Sequence, residues 1–154
     1  TAKNNEPTSL SKKQAKVDAA DRKLNRVIAR RFFGDLFEKS GVVLPETTFV
    51  GSSAGKGQVL REIRYRLHGK AAQKVERVLV ERYGMGRLKF ACCGWEPSGG
   101  KTGVLRPPLR IEVDGITHEI HFSVTMFSAQ TPISRRAGWG RIPQFDVVVR
   151  VLDV

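Results

Sequence analysis

The sequence predicts an α+β fold in which an antiparallel β-sheet of four to six strands is packed on one face by two helices. Apolar residues recur every three or four positions over residues 11–39 and 70–83, as they do in amphipathic helices. From residue 59 onward, several segments alternate apolar and polar residues, which is typical of strands with one buried face. Asp114-Gly115 joins two of these segments in the manner of a hairpin turn.

The length and composition of the chain fit one domain. With 154 residues, of which 40% are hydrophobic, one core is expected over residues 11–154, after a disordered tail over residues 1–10. No run of about 18 apolar residues occurs, so no membrane span is predicted. The chain starts at Thr1 without methionine or an apolar signal core, and we interpret it as the processed form of an exported protein rather than a truncated one.

The first predicted helix begins near Ser11 and ends near Lys39, where Ser40-Gly41 supplies the stop. Its apolar residues form a single stripe, and basic residues take the remaining faces. Such a stripe most often packs on the domain's own sheet, but a basic amphipathic helix also fits a membrane surface or a partner's groove. The stripe consists of Val17, Ala20, Leu24, Val27, Ile28, Phe32 and Leu36.

Two strands and a second helix are predicted next. Thr47 to Val50 is a short strand, and residues 51–57 form a hairpin loop. This loop is rich in glycine, but its lysine lacks the following Ser or Thr that a phosphate-binding loop needs. Val59 to Leu67 alternates inward apolar residues with an outward cationic face that includes Arg64 and Arg66. Residues 70–83 form the second helix, which ends at Gly84.

The most unusual stretch is Tyr83 to Pro97, with the sequence YGMGRLKFACCGWEP. A short strand is predicted to place Cys92 in phase with Leu88 on its buried face, so that Cys93 points outward. The residues that follow, Gly94 to Pro97, are predicted to form an exposed turn that presents a tryptophan and a glutamate.

The two adjacent cysteines admit four interpretations. A zinc site needs about four ligands, and two neighbouring thiols with three scattered histidines show no such spacing. A nucleophilic Cys93 needs a base and an electropositive setting, for which Lys89 and a histidine are candidates. A disulfide between Cys92 and Cys93 fits an oxidising compartment, but its strained ring would distort a strand. A buried Cys92 beside a half-exposed Cys93 thiol is the preferred interpretation.

The clearest local prediction is the hairpin around Asp114-Gly115. A two-residue turn of the primed type fixes the register, and that register puts apolar residues on one face and opposite charges on the other. The predicted pairs are Val113 with Ile116, Ile111 with His118, Leu109 with Ile120, and Arg110 with Glu119.

The second hairpin strand leads into a loop over residues 128–141, and loops of this length in compact domains are commonly functional. The last strand, from Phe145 onward, has apolar residues on both faces, which predicts a place inside the sheet. The loop contains Arg135, Arg136, Trp139 and Arg141.

The net charge of +12 comes from 27 Lys and Arg residues against 15 Asp and Glu residues, and it is spread along the chain. A nucleic-acid-binding arm usually concentrates its charge, whereas a generally basic surface fits solubility, an acidic protein partner, or an anionic membrane or polymer about equally well. The sequence shows no carboxylate pair, metal-ligand spacing, serine-nucleophile motif or dinucleotide fingerprint. No catalytic residue, metal or cofactor is therefore predicted.

One resemblance bears on function. The chain is similar to an uncharacterised bacterial family of small exported domains, over roughly residues 43–154, and the CCGWE run is the most specific shared part. The resemblance implies a compact α+β fold and export to the periplasm or beyond, and it supplies no catalytic residues. Members often carry a cysteine directly after Phe-Val-Gly, where this chain has Ser52, so a family disulfide to the central cysteines is not implied here. The shared segments are Phe49-Val50-Gly51, Tyr83-Gly84-Met85, Leu88-Lys89-Phe90, Cys92-Cys93-Gly94-Trp95-Glu96 and Ile142-Pro143-Gln144-Phe145.

These observations predict a non-catalytic exported binding protein that engages an acidic protein partner, such as a secreted bacterial toxin that it neutralises. Trp and Arg dominate interface energetics, so exposed loop residues of these types are the predicted contacts. A nucleic-acid-binding basic domain and a thiol enzyme using Cys93 are the alternatives. The predicted partner-binding residues are Trp95, Glu96, Arg135, Arg136, Trp139 and Arg141, and Cys92, Cys93 and Gly94 form the structural motif.

Overall fold

The computed structural model describes residues 44–55 and 59–153. The predicted tail over residues 1–10 and the predicted helix over residues 11–39 lie outside this part of the chain. Within it are β1 (Thr47–Ala54), β2 (Val59–Leu67), α1 (Gly69–Tyr83), β3 (Leu88–Ala91), β4 (Gly94–Pro97), a 3-10 turn (Ser98–Gly100), β5 (Gly103–Val113), β6 (Ile116–Phe127), a 3-10 segment (Arg136–Arg141) and β7 (Phe145–Asp153).

Five strands form one antiparallel sheet in the order β1-β2-β7-β6-β5, and β3 pairs with β4 in a separate antiparallel ribbon. The α+β class and the antiparallel sheet of four to six strands are thus confirmed. As its apolar residues on both faces predicted, β7 lies in the middle, and both Val147 and Val148 on opposite faces are buried.

The hairpin register is confirmed at all four predicted pairs. Asp114 and Gly115 both have positive φ, +52° and +78°, which a two-residue turn of the primed type requires. Pro107 and Pro108 lie in β5 at the edge of the sheet, where a missing N–H donor leaves no ladder bond unmade.

Helix α1 follows directly from β2, with His68 as its N-cap. The Nδ1 atom of His68 accepts a hydrogen bond from the Lys70 N–H at 3.1 Å, and Gly84 ends the helix in the left-handed conformation at φ +74°. Its apolar face, built around Val75 and Leu79, is fully buried in the core with the inward residues of β2, β6 and β7. Within the described residues, no helix is both long and apolar enough to cross a lipid bilayer.

Two predicted boundaries are wrong. Strand β1 continues to Ala54, because the residues beyond Val50 pair with β2 across a bulge instead of starting a loop. The strand over the central stretch ends at Ala91, the chain reverses at Cys92 and Cys93, and Gly94–Pro97 returns as β4.

The prediction for the stretch Tyr83 to Pro97 failed because it treated Gly94–Pro97 as exposed. In the structure Trp95 pairs with Phe90 across the ribbon, and its indole is buried. Burying the Trp95 side chain contributes on the order of 3 kcal/mol. This outweighs the turn preference of the glycine and proline that flank it. Cys92 and Cys93 are consequently both exposed at the ribbon's tip, whereas Cys92 was expected to be buried.

Candidate functional site

The 3-10 segment Arg136–Arg141 packs against the first turn of α1, and this contact organises the candidate site. The Gly69 N–H donates to the Ile142 carbonyl at 2.9 Å. A Cβ atom at Gly69 would lie 1.8 Å from the Trp139 carbonyl oxygen, so only glycine permits this approach. The segment therefore lies directly beside the side chains of the first helical turns.

Arg136 is the central side chain of the site. Its Nη1 and Nη2 atoms donate to Oε1 and Oε2 of Glu76, both at 2.7 Å, in a bidentate pair. Nη2 also donates to the Leu88 carbonyl at 2.7 Å, and the Leu88 N–H donates to Oε2 of Glu76 at 2.8 Å. Helix α1, strand β3 and the 3-10 segment are thus joined through two charged side chains.

The Glu76 carboxylate is buried, whereas about a third of the Arg136 side chain is exposed. The hydrogen bonds that Arg136 donates to Glu76 raise the pKa of Arg136 above its ordinary value, and burial opposes that shift more weakly. Arg136 therefore keeps its charge throughout the accessible pH range. Since Glu76 neutralises that charge, Arg136 serves mainly to connect elements.

Two tryptophans support the guanidinium group. Arg136 lies 4.6 Å from the ring centroid of Trp139 and 5.9 Å from that of Trp95, within the range of cation–π attraction. The two indoles meet edge to face at 5.1 Å, and Trp139 also packs on Phe145 at 5.2 Å. The indole N–H of Trp95 donates to the Ile133 carbonyl at 2.8 Å.

The prediction that Trp95 and Trp139 are exposed contacts is wrong. They are 4% and 3% exposed, and both belong to the hydrophobic core. Within the described residues, Nε1 of Trp139 is buried without a hydrogen-bond partner, which indicates that packing rather than polar recognition holds this ring. Neither indole is available to a partner at the surface.

The other predicted partner-binding residues do not join this cluster. Arg135 is exposed beside it, and Arg141 lines a different cleft with Gln144 and Asp146. Glu96 is exposed on β4 and lines a cleft at the ribbon's tip. The structure thus unites Arg136 with the two tryptophans and leaves Arg135, Arg141 and Glu96 as separate surface residues.

Cys92 and Cys93 form a disulfide. The preferred interpretation, a buried cysteine beside a half-exposed thiol, is therefore wrong, and the described residues contain no free cysteine. While this disulfide is closed, Cys93 presents no thiolate. Strand β4 is fixed next to the tip: the Thr131 N–H donates to the Cys93 carbonyl at 2.8 Å, and the Trp95 N–H donates to Ser128 Oγ at 2.9 Å.

A groove runs beside the cluster between α1 and the 3-10 segment. It consists of two adjoining clefts of about 430 and 250 Å³, which share Gln73 and Arg136 as lining residues. Lys70 lies toward one end, and Arg77, Arg87 and Glu81 line the other. Because Glu76 already neutralises Arg136, the remaining wall residues give the groove a net positive charge.

Sequence reasoning missed Glu76 and the groove. The one available signal was that Glu76 occupies the apolar face of α1, four residues after Ala72 and three before Leu79. A charged residue at such a position needs a partner of opposite charge when the face is buried. The partner, Arg136, is 60 residues away in the sequence, so only the folded structure identifies it.

No group of three or more His, Cys, Asp and Glu side chains within residues 44–55 and 59–153 has the arrangement of a metal site. Comparison of the chain with protein-family models, curated proteins and solved structures found no match. The resemblance to the exported bacterial family thus rests on the motif residues alone, and the site must be interpreted from its own geometry.

Proposed function

We propose that this protein is a non-catalytic binding domain that holds an acidic segment of a protein partner in the groove between α1 and the 3-10 segment. The observation that carries this proposal is the charge of the groove wall. Lys70, Arg77 and Arg87 line it against a single acidic residue with no described cation partner, Glu81. Neutralisation of a secreted toxin is the form of this function that the family resemblance favours.

The dimensions of the groove fit a short extended segment. From Lys70 to Glu81 the helix rises about 16 Å, at about 1.5 Å per residue. An extended chain advances about 3.3 Å per residue, so about five residues of a partner span this length. The Glu76–Arg136 pair and the tryptophans beneath it hold the two walls at a fixed separation, which lowers the entropic cost of binding.

Two further observations support the proposal. Single-strand nucleic-acid sites rely on exposed aromatic rings for base stacking, and both tryptophans of this site are buried. An acidic protein segment needs no such ring. The disulfide between Cys92 and Cys93 supports an exported protein, because disulfides persist mainly in oxidising compartments.

Fluorescently labelled poly-L-glutamate is the probe that tests the groove. Replacing Arg77 and Arg87 together by Glu is expected to weaken binding by at least about tenfold, because the wall then repels the probe. The control replaces Lys74 and Lys101 by Glu, an identical change in net charge at exposed positions outside the groove. We expect the control to weaken binding by less than about threefold at 0.15 M salt, where distant charges are screened.

Equal weakening by both pairs of substitutions would mean that only net charge matters, and the groove would lose its role. Single-stranded DNA, used as a competitor, decides between the two anionic partners. If it displaces poly-L-glutamate at lower charge concentration, the nucleic-acid alternative replaces this proposal.

A further inference from the structure

The two edges of the five-stranded sheet differ in how they are protected against pairing with another chain. Natural sheets guard their edges with charges, prolines and irregular pairing. The β5 edge has all three: Arg110 and Glu112, Pro107 and Pro108, and a register shift between Leu105 and Leu109. This edge is a poor template for an incoming strand.

The β1 edge lacks two of these three guards. Its eight residues, Thr47–Ala54, include neither a charged residue nor a proline. The one irregularity is a bulge at Val50, whose side chain is about half exposed. Among the described strands, β1 pairs with β2 alone, so its outer backbone groups face away from the sheet.

We propose that the β1 edge accepts an extended acidic segment of a protein partner by strand addition. In this mode the main-chain hydrogen bonds give affinity, and side chains on alternate positions give specificity. The acidic character of the partner follows from the next strand inward. Arg64 and Arg66 of β2 are both exposed on one face of the sheet.

The residues of β1 opposite these arginines leave their path open. Arg64 faces Gly51 and Arg66 faces Thr48, so neither arginine meets a bulky side chain across the ladder. Neighbouring strands lie about 4.8 Å apart, which places an added strand about 9.6 Å from β2. An extended arginine side chain covers most of this distance, and a carboxylate on the added strand covers the rest.

The ion pair that Arg64 makes now is easily exchanged. Its Nη2 atom lies 3.1 Å from Glu62, but half of the Arg64 side chain is exposed, and exposed pairs contribute little stability. A partner carboxylate can therefore compete for this arginine. An uncharged β1 between a cationic β2 and an acidic segment places no like charge against the incoming strand.

The β1 edge and the proposed groove are close in sequence. Thr47 of β1 pairs with Leu67, and Lys70 at the end of the groove follows three residues later. The inference rests on the proposed function in one respect, that the partner is acidic, but the β1 edge is a separate surface with its own test.

The test uses the full chain and a peptide of alternating valine and glutamate as long as β1, with a valine–lysine peptide for comparison. Val50→Glu places a like charge against the acidic peptide at an exposed position of the β1 edge and is expected to weaken its binding by at least about tenfold. The matched control is Val104→Glu, at an exposed valine on the already guarded β5 edge. It should change binding by less than about twofold, since β5 takes no part.

Amide hydrogen exchange gives the second readout. The acidic peptide is expected to slow exchange of β1 amides in the parent protein, and the basic peptide is not. Unchanged exchange in β1, or equal binding by the Val50→Glu and Val104→Glu variants, would overturn the inference. Protection of the β1 amides without peptide, whether by another part of the chain or by a second copy in a dimer, would also overturn the inference.

The failure of this inference can be told apart from failure of the groove. If the substitutions at Arg77 and Arg87 weaken poly-L-glutamate binding while Val50→Glu leaves peptide binding unchanged, the groove is retained and the edge is rejected. If Val50→Glu alone weakens peptide binding, the edge is retained and the groove is rejected. Circular dichroism and the melting temperature establish that each variant is folded.

Discussion

The β5–β6 hairpin and the loop between β6 and β7, residues 128–144, are neighbours in the chain but reach their structures differently. In the hairpin, Asp114-Gly115 sets the register, and each residue pairs with one a short distance along the sequence. In the loop, Ile133 bonds Trp95 from 38 residues away, and Arg136 bonds Glu76 from 60 residues away. The hairpin is defined by its turn, and the loop is defined by distant partners.

The loop shows why residue type alone does not identify a binding residue. Arg135, Arg136 and Arg141 have the same side chain within seven positions. Arg136 is held by a buried carboxylate and two indoles, while the other two arginines are exposed. Only the position of Glu76 in α1 separates them, and that position has no local signature in the loop.

The largest change in stability is expected from the Glu76–Arg136 pair, which holds the loop through a distant contact. Changing Glu76 to Gln leaves the partly exposed Arg136 guanidinium without its counter-charge and should lower the free energy of unfolding by about 2 kcal/mol. Changing Arg136 to Gln should have a similar effect, and the double variant should cost little more than either single one. Urea unfolding measured for all four proteins gives the coupling energy, expected to be at least about 1.5 kcal/mol.

Glu81→Gln is the control for this cycle. Glu81 is exposed on the same helix, and its substitution should change stability by less than about 0.5 kcal/mol. Additive losses at Glu76 and Arg136 would show that the loop is held by other contacts, and the contrast with the hairpin would disappear.

The same distinction between local and distant contacts separates the features that could be predicted from the sequence from those that could not. Alternation and turn chemistry located β2, α1, the hairpin register and the central position of β7, because each depends on residues close together in the sequence. The candidate site, in contrast, depends on where Trp95 and Trp139 pack. Trp95 and Trp139 lie among glycines, which favours exposed loops on local grounds, yet they pack on each other from 44 residues apart.

The cysteine prediction failed for a related reason. Extending β3 through Cys92 assumed that the strand continues, but the burial of Trp95 requires the chain to reverse first. That requirement comes from the core, not from the sequence near the cysteines. Predictions based on pattern were therefore reliable where neighbours in sequence are neighbours in space. They failed where core packing between distant residues determines the course of the chain.

A smaller and purely local effect is expected in the hairpin. Gly115 has φ +78°, so Gly115→Ala should lower the free energy of unfolding by about 1 kcal/mol. Gly51→Ala in β1 is the matched control, because Gly51 has no positive φ and a new Cβ there meets no atom within 4 Å. Urea unfolding should separate the two by about 1 kcal/mol, and tryptophan fluorescence of the folded state should be unchanged in both. Equal stability of the two variants would mean that the turn does not set the hairpin.

The smallest effect concerns Glu62, a carboxylate with one local and one distant partner. Arg64 lies two residues away and Arg150 lies 88 residues away, each with a nitrogen 3.1 Å from Glu62. Burial raises the pKa of Glu62, but the hydrogen bonds from Arg150 and Arg64 outweigh it and hold the pKa below its ordinary value. Glu62→Gln should therefore cost about 0.5 kcal/mol at pH 7, a small amount because the arginines are partly exposed.

The sign of the pH dependence follows from the lowered pKa of Glu62. The stability that its ionised form adds is fully present above the ordinary glutamate pKa, about 4.3, and is lost as the pH falls through the lower pKa of the folded state. The stability difference between the parent protein and Glu62→Gln should thus be constant from pH 7 to about pH 5 and vanish in more acidic solution. A difference that instead grew toward acid would mean that burial, not the arginines, dominates at Glu62. Because the Arg150 side chain is less exposed than that of Arg64, Arg150→Gln should remove more of the step than Arg64→Gln, which would make the distant partner the stronger one here as well.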